Sequence, residues 1–435
     1  MNMERYDAYK DSGAGWLGNL PFHWELRRIS ALYNVRNEKA SDKDYAPLSV
    51  TMQGVVPQLE TAAKTQDGDN RKLVKAGDFV INSRSDRRGA CGISEKDGSV
   101  TLISNVLAPK ERAMSAHYYE YLFRSEGFAD EFYRQGTGIV DDLWSTNWSR
   151  MKNILVTYPP LTEQRAIADY LDAKTAEIDA LVADCEREVA LLREWRKAVI
   201  SEAVTRGLNP DAPMKDSGVE WIGEIPESWK LAKIKTCCDV LSGYAFKSEL
   251  FIQDENDVKL LRGINLGVNE VRWDECIGYP DDELDNLSAY ELKSGDVVIG
   301  LDRPWISGGL RIAMITERDL PCFLVQRVAR LRGSERTDVR YILYSLASGI
   351  LEYELDSLTT GVSVPHISTE QIGATRIALP SSEEQYMIVE HLNTKTAEID
   401  SLIEAKQQMA EKLREYRRSL ISEAVTGKFK VPGVE

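Results

Sequence analysis

Arginines in glycine-punctuated loops are the side chains with the clearest chemistry in this sequence. Each loop follows a short run of β-branched and aromatic residues, FVIN (79–82) in the first half and VVIGL (297–301) in the second. The candidates are Arg84, Ser85, Arg87 and Arg88 in the first loop, and Arg303, Trp305, Ser307 and Arg311 in the second. Guanidinium and hydroxyl groups on loops hydrogen-bond to phosphates and to base edges. Both loops are predicted to contact DNA, and solvated charged hairpins are the alternative.

A second set of polar candidates lies in two turns and beside a strand. The turns cover 136–148 and 359–368, and the strand is the run VARL at 328–331. The candidates are Thr137, Asn147, Gln326, Arg327, Ser363 and His366. These side chains are suited to base edges or to the sugar–phosphate backbone. Two alternatives stay open, a core position for the neighbouring Trp144 and a carboxylate partner for Arg327.

Motifs for catalysis are incomplete throughout the sequence. NLPF (19–22) resembles the N-P-P-F motif of methyltransferases, but Leu20 interrupts it, and YPPL (158–161) lacks the required acid or amide. Neither is accompanied by a glycine-rich cofactor loop or a Walker A motif. Asp281, Glu291 and Lys293 can be read as a metal-dependent nuclease pattern, yet the first half has no acid at the matching place. We therefore expect no catalytic residues, with the nuclease as a weaker alternative.

Composition limits the class of protein. The 435 residues are 43% hydrophobic and 28% charged, as in soluble globular proteins, and 54 basic against 69 acidic side chains give a net charge of −15. Such a charge disfavours a general nucleic-acid binder, so DNA binding requires basic groups gathered locally or supplied by partners. Six cysteines without a CxxC pair and four scattered histidines predict neither disulfides nor zinc. Without a signal-like or membrane-spanning segment, the expected location is the cytoplasm.

An internal repeat organises the chain. KDSGAGWLGNLPFHWEL (10–26) recurs as KDSGVEWIGEIPESWKL (215–231), with both tryptophans in register at an offset of 205. EQRAIADYLDAKTAEIDAL (163–181) recurs as EQYMIVEHLNTKTAEIDSL (384–402) at an offset of 221. Between these blocks the copies diverge. Two diverged copies of one module require different ligands, or different halves of one ligand.

Long helices are predicted at the end of each copy. Residues 163–206 and 383–426 each run 44 residues without Gly or Pro. Two apolar rows at heptad spacing, one through Leu171 and Ile178 and the other through Ile167, Leu181 and Trp195, predict that each helix packs on a partner helix. Lys174 and Lys395 interrupt the second row, which leaves open a bend or a separate short first helix at that point. Such a spacer would extend ~66 Å and hold two readers a helical turn of DNA or more apart.

The repeated TAEID segments (175–179 and 396–400), the two-tryptophan motif and the final ISEAVTGK together resemble the specificity (S) subunit of type I restriction–modification systems. The similarity extends over essentially the whole chain. It implies a non-catalytic subunit with an α+β fold, in which two target-recognition domains each read half of a split site in double-stranded DNA. Two long antiparallel coiled-coil helices would separate them and dock two methyltransferase subunits, and restriction–translocase subunits would join. S-adenosylmethionine, ATP and Mg are implied on those partners, with no cofactor in this subunit and no membrane association.

The domain organisation predicted from the repeat has four segments. The first recognition domain covers 1–160, the central helix 161–207, the second recognition domain 208–380, and the C-terminal helix with its tail 381–435. A coiled-coil scaffold whose modules bind protein rather than DNA is the competing hypothesis. The acidic balance of residues 211–381 is consistent with it.

Overall fold

The computed structural model places the chain in two compact units, each built from two stretches of sequence. The first unit contains residues 1–185 and 408–435, and the second contains residues 186–407. The structure describes residues 4–59, 68–84, 88–110, 114–139, 144–252, 258–306, 309–334, 337–356 and 366–434. The boundaries between the units fall within the two long helices, so each of these helices contributes one part to each unit.

Short strands and a few helices form the first unit. Its strands are β1 Tyr9–Asp11, β2 Asn19–Pro21, β3 Glu25–Arg28, β4 Tyr33–Val35, β5 Lys39–Ala40, β6 Leu48–Thr51, β7 Gly54–Pro57, β8 Arg71–Val74, β9 Phe79–Asn82, β10 Cys91–Ile93, β11 Gly98–Val100, β12 Ser104–Pro109 and β13 Leu155–Tyr158. Its helices are α1 Ile29–Leu32, α2 Ala116–Arg124, α3 Glu126–Arg134, α4 Trp148–Met151 and the first part of α5 Leu161–Arg206.

Antiparallel pairing of β-branched strands builds the core of the first unit. The largest sheet has the order β10-β9-β12-β4, and a second has the order β11-β8-β5. In the four-residue strand β9 every side chain is buried, as expected for a strand covered on both faces. Helices α2 and α3 cover it with an aromatic cluster in which the rings of Phe79 and Phe123 lie 4.5 Å apart.

The second unit repeats this plan with additional short elements. Its strands are β14 Met214–Asp216, β15 Glu224–Pro226, β16 Lys230–Lys233, β17 Cys238–Ser242, β18 Val258–Leu261, β19 Gly278–Tyr279, β20 Val297–Gly300, β21 Trp305–Ile306, β22 Gly309–Leu310, β23 Ile312–Met314, β24 Cys322–Leu324, β25 Val328–Gly333 and β26 Arg376–Leu379. Its helices are α6 Ile234–Cys237, α7 Val339–Ser345, α8 Leu351–Asp356, α9 Thr369–Ala374 and the first part of α10 Ser382–Val425, with a π-turn at Leu346–Ile350 between α7 and α8.

Sheet order in the second unit is β17-β25-β20-β23, with a smaller sheet β19-β18-β24 in which β18 and β24 run parallel. Strand β16 pairs with β26 so that Lys230 lies opposite Leu379, the same register in the repeat as Glu25 opposite Tyr158 in β3 and β13. The run FLVQRVARL (323–331), which reads as one strand, is two strands separated at residues 325–327. The strand-to-strand corner thus created carries Gln326 and Arg327.

The long helices pack antiparallel within each unit, which confirms the predicted fold class. In the first unit Asp179 of α5 pairs with Arg417 of α10 at 2.9 Å. In the second unit Arg196 of α5 pairs with Asp400 of α10 at 2.8 Å. These ion pairs join equivalent positions of the repeat with the roles of the helices exchanged. Helix α5 is continuous through Lys174, which bonds to Glu177, so no separate short helix ends at that residue.

One of the two predicted apolar rows is buried only at its start. Leu171 and Ile178 of the first row lie in the core, as the heptad pattern predicts. In the second row Ile167 is also buried, but the packing prediction is wrong for Leu181 and Trp195, which are 42% and 49% exposed. In the part of the chain that the structure describes, no helix combines the length and apolar character of a membrane span.

Candidate nucleic-acid interface

Each unit anchors its two-tryptophan motif on the first turn of a long helix. In the first unit the indole N–H of Trp24 donates to Glu163 at 2.7 Å, and Tyr6 donates to the same carboxylate. In the second unit Trp229 donates to Glu384 at 2.9 Å. Burial, followed by the Glu163 charge, raises the pKa of Tyr6, so its hydroxyl stays a donor. Trp24 and Trp229 are therefore packing anchors.

A buried tyrosine in each unit contacts the C-terminal end of a long helix. The hydroxyl of Tyr118 donates to the carbonyl of Val425 in α10 at 2.9 Å. The hydroxyl of Tyr341 donates to the carbonyl of Val204 in α5 at 3.1 Å. These carbonyls belong to the last turn of a helix, where no further backbone donor is available. Equivalent tyrosines of the repeat thus hold equivalent helix ends in the two units.

Equivalent turns lead into the strands that carry the candidate loops. The Asp78 carboxylate accepts from the backbone N–H of Lys75 at 2.8 Å, and the Asp296 carboxylate accepts from that of Lys293 at 2.7 Å. The Lys-x-Gly-Asp turns are therefore structural, and the backbone N–H of Lys293 shapes one of them. Among the described residues, no group of three or more His, Cys, Asp and Glu side chains is placed to hold a metal ion.

The loop after β9 joins the 136–147 turn in the first unit. Ser83 accepts a backbone hydrogen bond from Thr146 at 2.9 Å, and Arg84 forms a β-bridge with Ser145. Thr137 and Ser145 exchange two backbone bonds of 3.0 Å, so Thr137 lies beside the loop with its side chain exposed. The arginine loop and the Thr-Gly turn, separate in sequence, form one surface.

Arginine and aromatic rings are combined on this surface. The guanidinium of Arg88 lies 4.7 Å from the centre of the Tyr133 ring and contacts Asp130. The ring of Trp144 lies 5.6 Å from the same tyrosine, and its indole N–H donates to the Tyr133 carbonyl. Stacking on a ring holds a guanidinium in place while its edge still offers donors. Asn147 is exposed and caps the short helix α4 by accepting from the backbone N–H of Arg150.

The loop after β20 occupies the equivalent place in the second unit. Leu301 accepts a backbone bond from Ile367 at 2.9 Å, and Asp302 forms a β-bridge with His366. The bridge matches that of Arg84 and Ser145 in the repeat. Where the first unit has an arginine, the second therefore has an aspartate.

A cleft of about 820 Å³ opens beside this bridge. It contains five arginines and Gln326, and its rim carries the exposed Ile264 and Ile306. The arginines are Arg262, Arg272, Arg303, Arg311 and Arg327. A concave surface with several guanidinium groups focuses positive potential and attracts phosphate.

Asp302 is the acid at the centre of this cleft. Its carboxylate lies 3.2 Å from Nη1 of Arg327 and 2.5 Å from Nδ1 of His366. Arg303 and Gln326 are both exposed at the cleft. Four predicted residues, namely Arg303, Gln326, Arg327 and His366, are thus brought together around one carboxylate.

Two predicted contacts of the second loop face inward. Arg311 donates from Nε to the carbonyl of Leu266 at 2.9 Å and from Nη1 to that of Asp302 at 3.2 Å. Burial, followed by the like charge of Arg303, lowers the pKa of Arg311. Trp305 packs against the core of the unit and lines a separate groove of about 370 Å³. Arg311 supports the loop, and Trp305 lies away from the arginine cleft.

Several site residues escaped the sequence analysis or lie outside the described residues. Arg262, Arg272 and Asp302 line the cleft without having been selected. Arg262 carries the same signal as the selected loops, because it follows the β-run VKLL and precedes a glycine. Four selected residues lie outside the described residues: Ser85, Arg87, Ser307 and Ser363.

Comparison with known proteins gives consistent matches. The family model described as the type I restriction modification DNA specificity domain matches residues 226–412. The type I restriction enzyme MjaVIII specificity subunit of Methanocaldococcus jannaschii is 30% identical over 421 residues, which cover 95% of this chain and 94% of that protein. The EcoAI specificity subunit of Escherichia coli is 32% identical over 204 residues, covering 46% of this chain and 34% of that protein.

A solved structure has the same fold over nearly the whole chain. It comes from work on complex assembly and conformational transition of the type I R-M system, and it covers 93% of this chain and 98% of its own. The TM-score is 0.70 at 15% sequence identity. At this identity the match concerns the fold alone.

Proposed function

This chain belongs to the family of type I restriction–modification specificity subunits, and from that premise we propose that each unit reads one half of a bipartite site in double-stranded DNA. A role in DNA specificity follows from the family. The two half-sites, the gap between them and the scaffold role are the proposal. In this proposal the subunit itself is not catalytic.

One observation carries the proposal: an equivalent frame holds chemically different recognition surfaces. The tryptophan anchors, the tyrosine anchors and the backbone bridges occur in both units at equivalent positions of the repeat. At the bridge, Arg84 in the first unit corresponds to Asp302 in the second. A protein that recognises a split asymmetric sequence requires this arrangement, because the supporting framework is the same in both units while the bases to be recognised differ.

Locally concentrated positive charge makes DNA binding compatible with the net charge of −15. The first surface has Arg84 and Arg88, and the cleft of the second unit has Arg262, Arg272, Arg303 and Arg327 besides the inward-facing Arg311. Contacts from such groups to phosphates give affinity and orientation, whereas contacts to base edges give sequence preference. The acidic remainder of the chain disfavours binding elsewhere on its surface.

The long helices fit the roles of spacer and docking surface. In the first unit the exposed Leu181 and Tyr416 are close in sequence to the Asp179–Arg417 ion pair. In the second unit Leu402 and Trp195 are likewise close in sequence to the Arg196–Asp400 ion pair, and each is 49% exposed. Paired apolar patches on otherwise charged helices are typical of protein contacts. We assign one methyltransferase subunit to each patch.

Further partners complete the proposed complex. Restriction–translocase subunits would join the methyltransferase subunits, and S-adenosylmethionine, ATP and Mg would be bound by these partners. The competing hypothesis, a scaffold that binds only protein, predicts that neither arginine surface affects DNA preference.

The experiment is to co-express the chain with its methyltransferase subunit and map modified bases across a genome. We expect one bipartite motif with a fixed gap. The double variant Arg84→Ala and Arg88→Ala should relax preference in one half of the motif, and Arg303→Ala should relax it in the other. Each is the matched control for the other. Equal relaxation in both halves, or normal preference in both variants, would contradict the proposal.

A further inference from the structure

The cleft lined by arginines in the second unit also contains an aspartate, Asp302. Asp302 lies beside Arg303, and its carboxylate contacts Arg327. A cleft that bound only phosphate would be weakened by this carboxylate, since like charges repel at close range. An ordinary surface ion pair between an aspartate and an arginine also does not require a position among several further arginines. The carboxylate therefore suits a ligand that donates a hydrogen bond.

The Asp302 carboxylate retains capacity for such a ligand. Its side chain is 34% exposed, and its two oxygens accept from Arg327 and His366. A carboxylate offers about four lone-pair positions, so two contacts leave acceptors available. In the major groove of DNA the donors are the amino groups N4 of cytosine and N6 of adenine.

The backbone of the two neighbouring arginines is strained. Arg303 has φ of 46° and Arg327 has φ of 71°. In the described part of the chain only one further residue other than glycine has positive φ, Asn269 at 58°. Glycine and asparagine adopt this conformation at low cost, whereas arginine does not. Strain of this kind persists where the side chain has a function that the preferred residue lacks.

We propose that Arg327 and Asp302 read adjacent bases as a pair. The Arg327 guanidinium, oriented by Asp302, would donate to O6 and N7 of a guanine. Asp302 would accept from the amino group of the neighbouring cytosine or adenine. Arg262 and Arg303 are left for the phosphates, since Arg272 pairs with Glu270. Thymine lacks the amino donor and is excluded at the Asp302 position, which makes this residue a determinant of specificity.

This inference rests on the proposed function, and its test separates the two. The full-length chain in complex with its methyltransferase subunit is titrated with duplexes that carry single changes in the half-site of the second unit. In one duplex 7-deazaguanine removes the N7 acceptor. In another, 2-pyrimidinone or purine replaces cytosine or adenine and removes the amino group. Wild type should lose affinity about 5- to 150-fold on each analogue.

Variants of the two residues should abolish the matching analogue effect. Arg327→Gly should bind 7-deazaguanine and guanine duplexes alike, and Asp302→Ala, which removes the acceptor oxygens, should bind duplexes with and without the amino group alike. Because glycine relieves the positive φ, Arg327→Gly should retain the wild-type melting temperature. Asn269→Gly is the control, since it places glycine at the third positive-φ position and Asn269 itself does not line the cleft.

Three other outcomes would contradict either this inference or the proposed function. If Arg327→Gly and Asp302→Ala change affinity for all duplexes by one factor and alter the salt dependence, the pair contacts phosphate and the inference is overturned. A lower melting temperature with an unchanged analogue effect assigns the residues a structural role, which also overturns it. If wild type shows no preference for any duplex, the proposed function itself fails.

Discussion

At the residue scale, the two units differ in the burial of the carboxylate that anchors the tryptophan motif. Glu163 is 7% exposed and accepts from Trp24, Tyr6 and His23. Glu384 is more exposed and accepts from Trp229. A buried carboxylate that loses a donor cannot replace it with water, whereas a partly exposed one can.

Replacing the anchors therefore gives a matched pair of variants. Trp24→Phe and Trp229→Phe remove the same indole N–H and the same volume from similarly buried sites. We expect Trp24→Phe to destabilise its unit by about 1–3 kcal/mol and Trp229→Phe by less, because water compensates Glu384. Urea denaturation followed by circular dichroism measures both. Equal losses would show that burial of the carboxylate is not the cause.

At the element scale, the long helices act as a pair with one register. The Asp179–Arg417 and Arg196–Asp400 pairs fix that register in the first and second units respectively. Helix α5 is continuous over 46 residues and α10 over 44. A change of length in one helix alone would misalign its contacts with the other, whereas a matched change in both retains them.

A matched insertion tests the proposed spacer. Four residues after Ala183 and four after its repeat equivalent Glu404 add about 6 Å, roughly one helical turn, to each helix. Both half-sites should stay the same and the unread gap should grow by one or two base pairs, as read from modified-base mapping. Insertion after Ala183 alone should destabilise the protein. An altered half-site with an unchanged gap would contradict the spacer role.

At the scale of the whole molecule, the core of each unit contains residues from both copies of the sequence repeat. The core of the first unit includes Ile421 and Val425 of α10, far from the rest of that unit in sequence. The core of the second unit includes Ile200 and Val204, which are their repeat equivalents. Each unit is therefore completed by a helix end from the other copy of the repeat.

A fragment ending at Asn209 should consequently fold only as a dimer. Val204 of one copy would take the place of Val425 in the other, which gives a symmetric pair of first units. Light scattering should show a dimer, and with methyltransferase present the fragment should modify a palindromic split site. Val204→Asp should abolish dimerisation, and Glu202→Gln, on the exposed face of the same turn, should not. A folded monomer would contradict the argument.

The sequence by itself determined the elements whose signals are local. Continuous helices at 163–206 and 383–426 were predicted, and the structure has them at Leu161–Arg206 and Ser382–Val425. Helical periodicity and the stops at Gly207 and Gly427 are properties of neighbouring residues, so no distant contact is needed to recognise them. The repeat likewise predicted that both recognition domains share one frame.

Tertiary structure decided which side chains face the candidate site. Arg262 and Arg327, more than sixty positions apart, line the same cleft, while Arg311 turns inward to hold a loop. In the second heptad row Ile167 is buried, whereas Leu181 and Trp195 are exposed. Exposure depends on which surfaces non-local packing covers, and local spacing contains no record of that. The pattern located the loops, and the packing selected the arginines that they present.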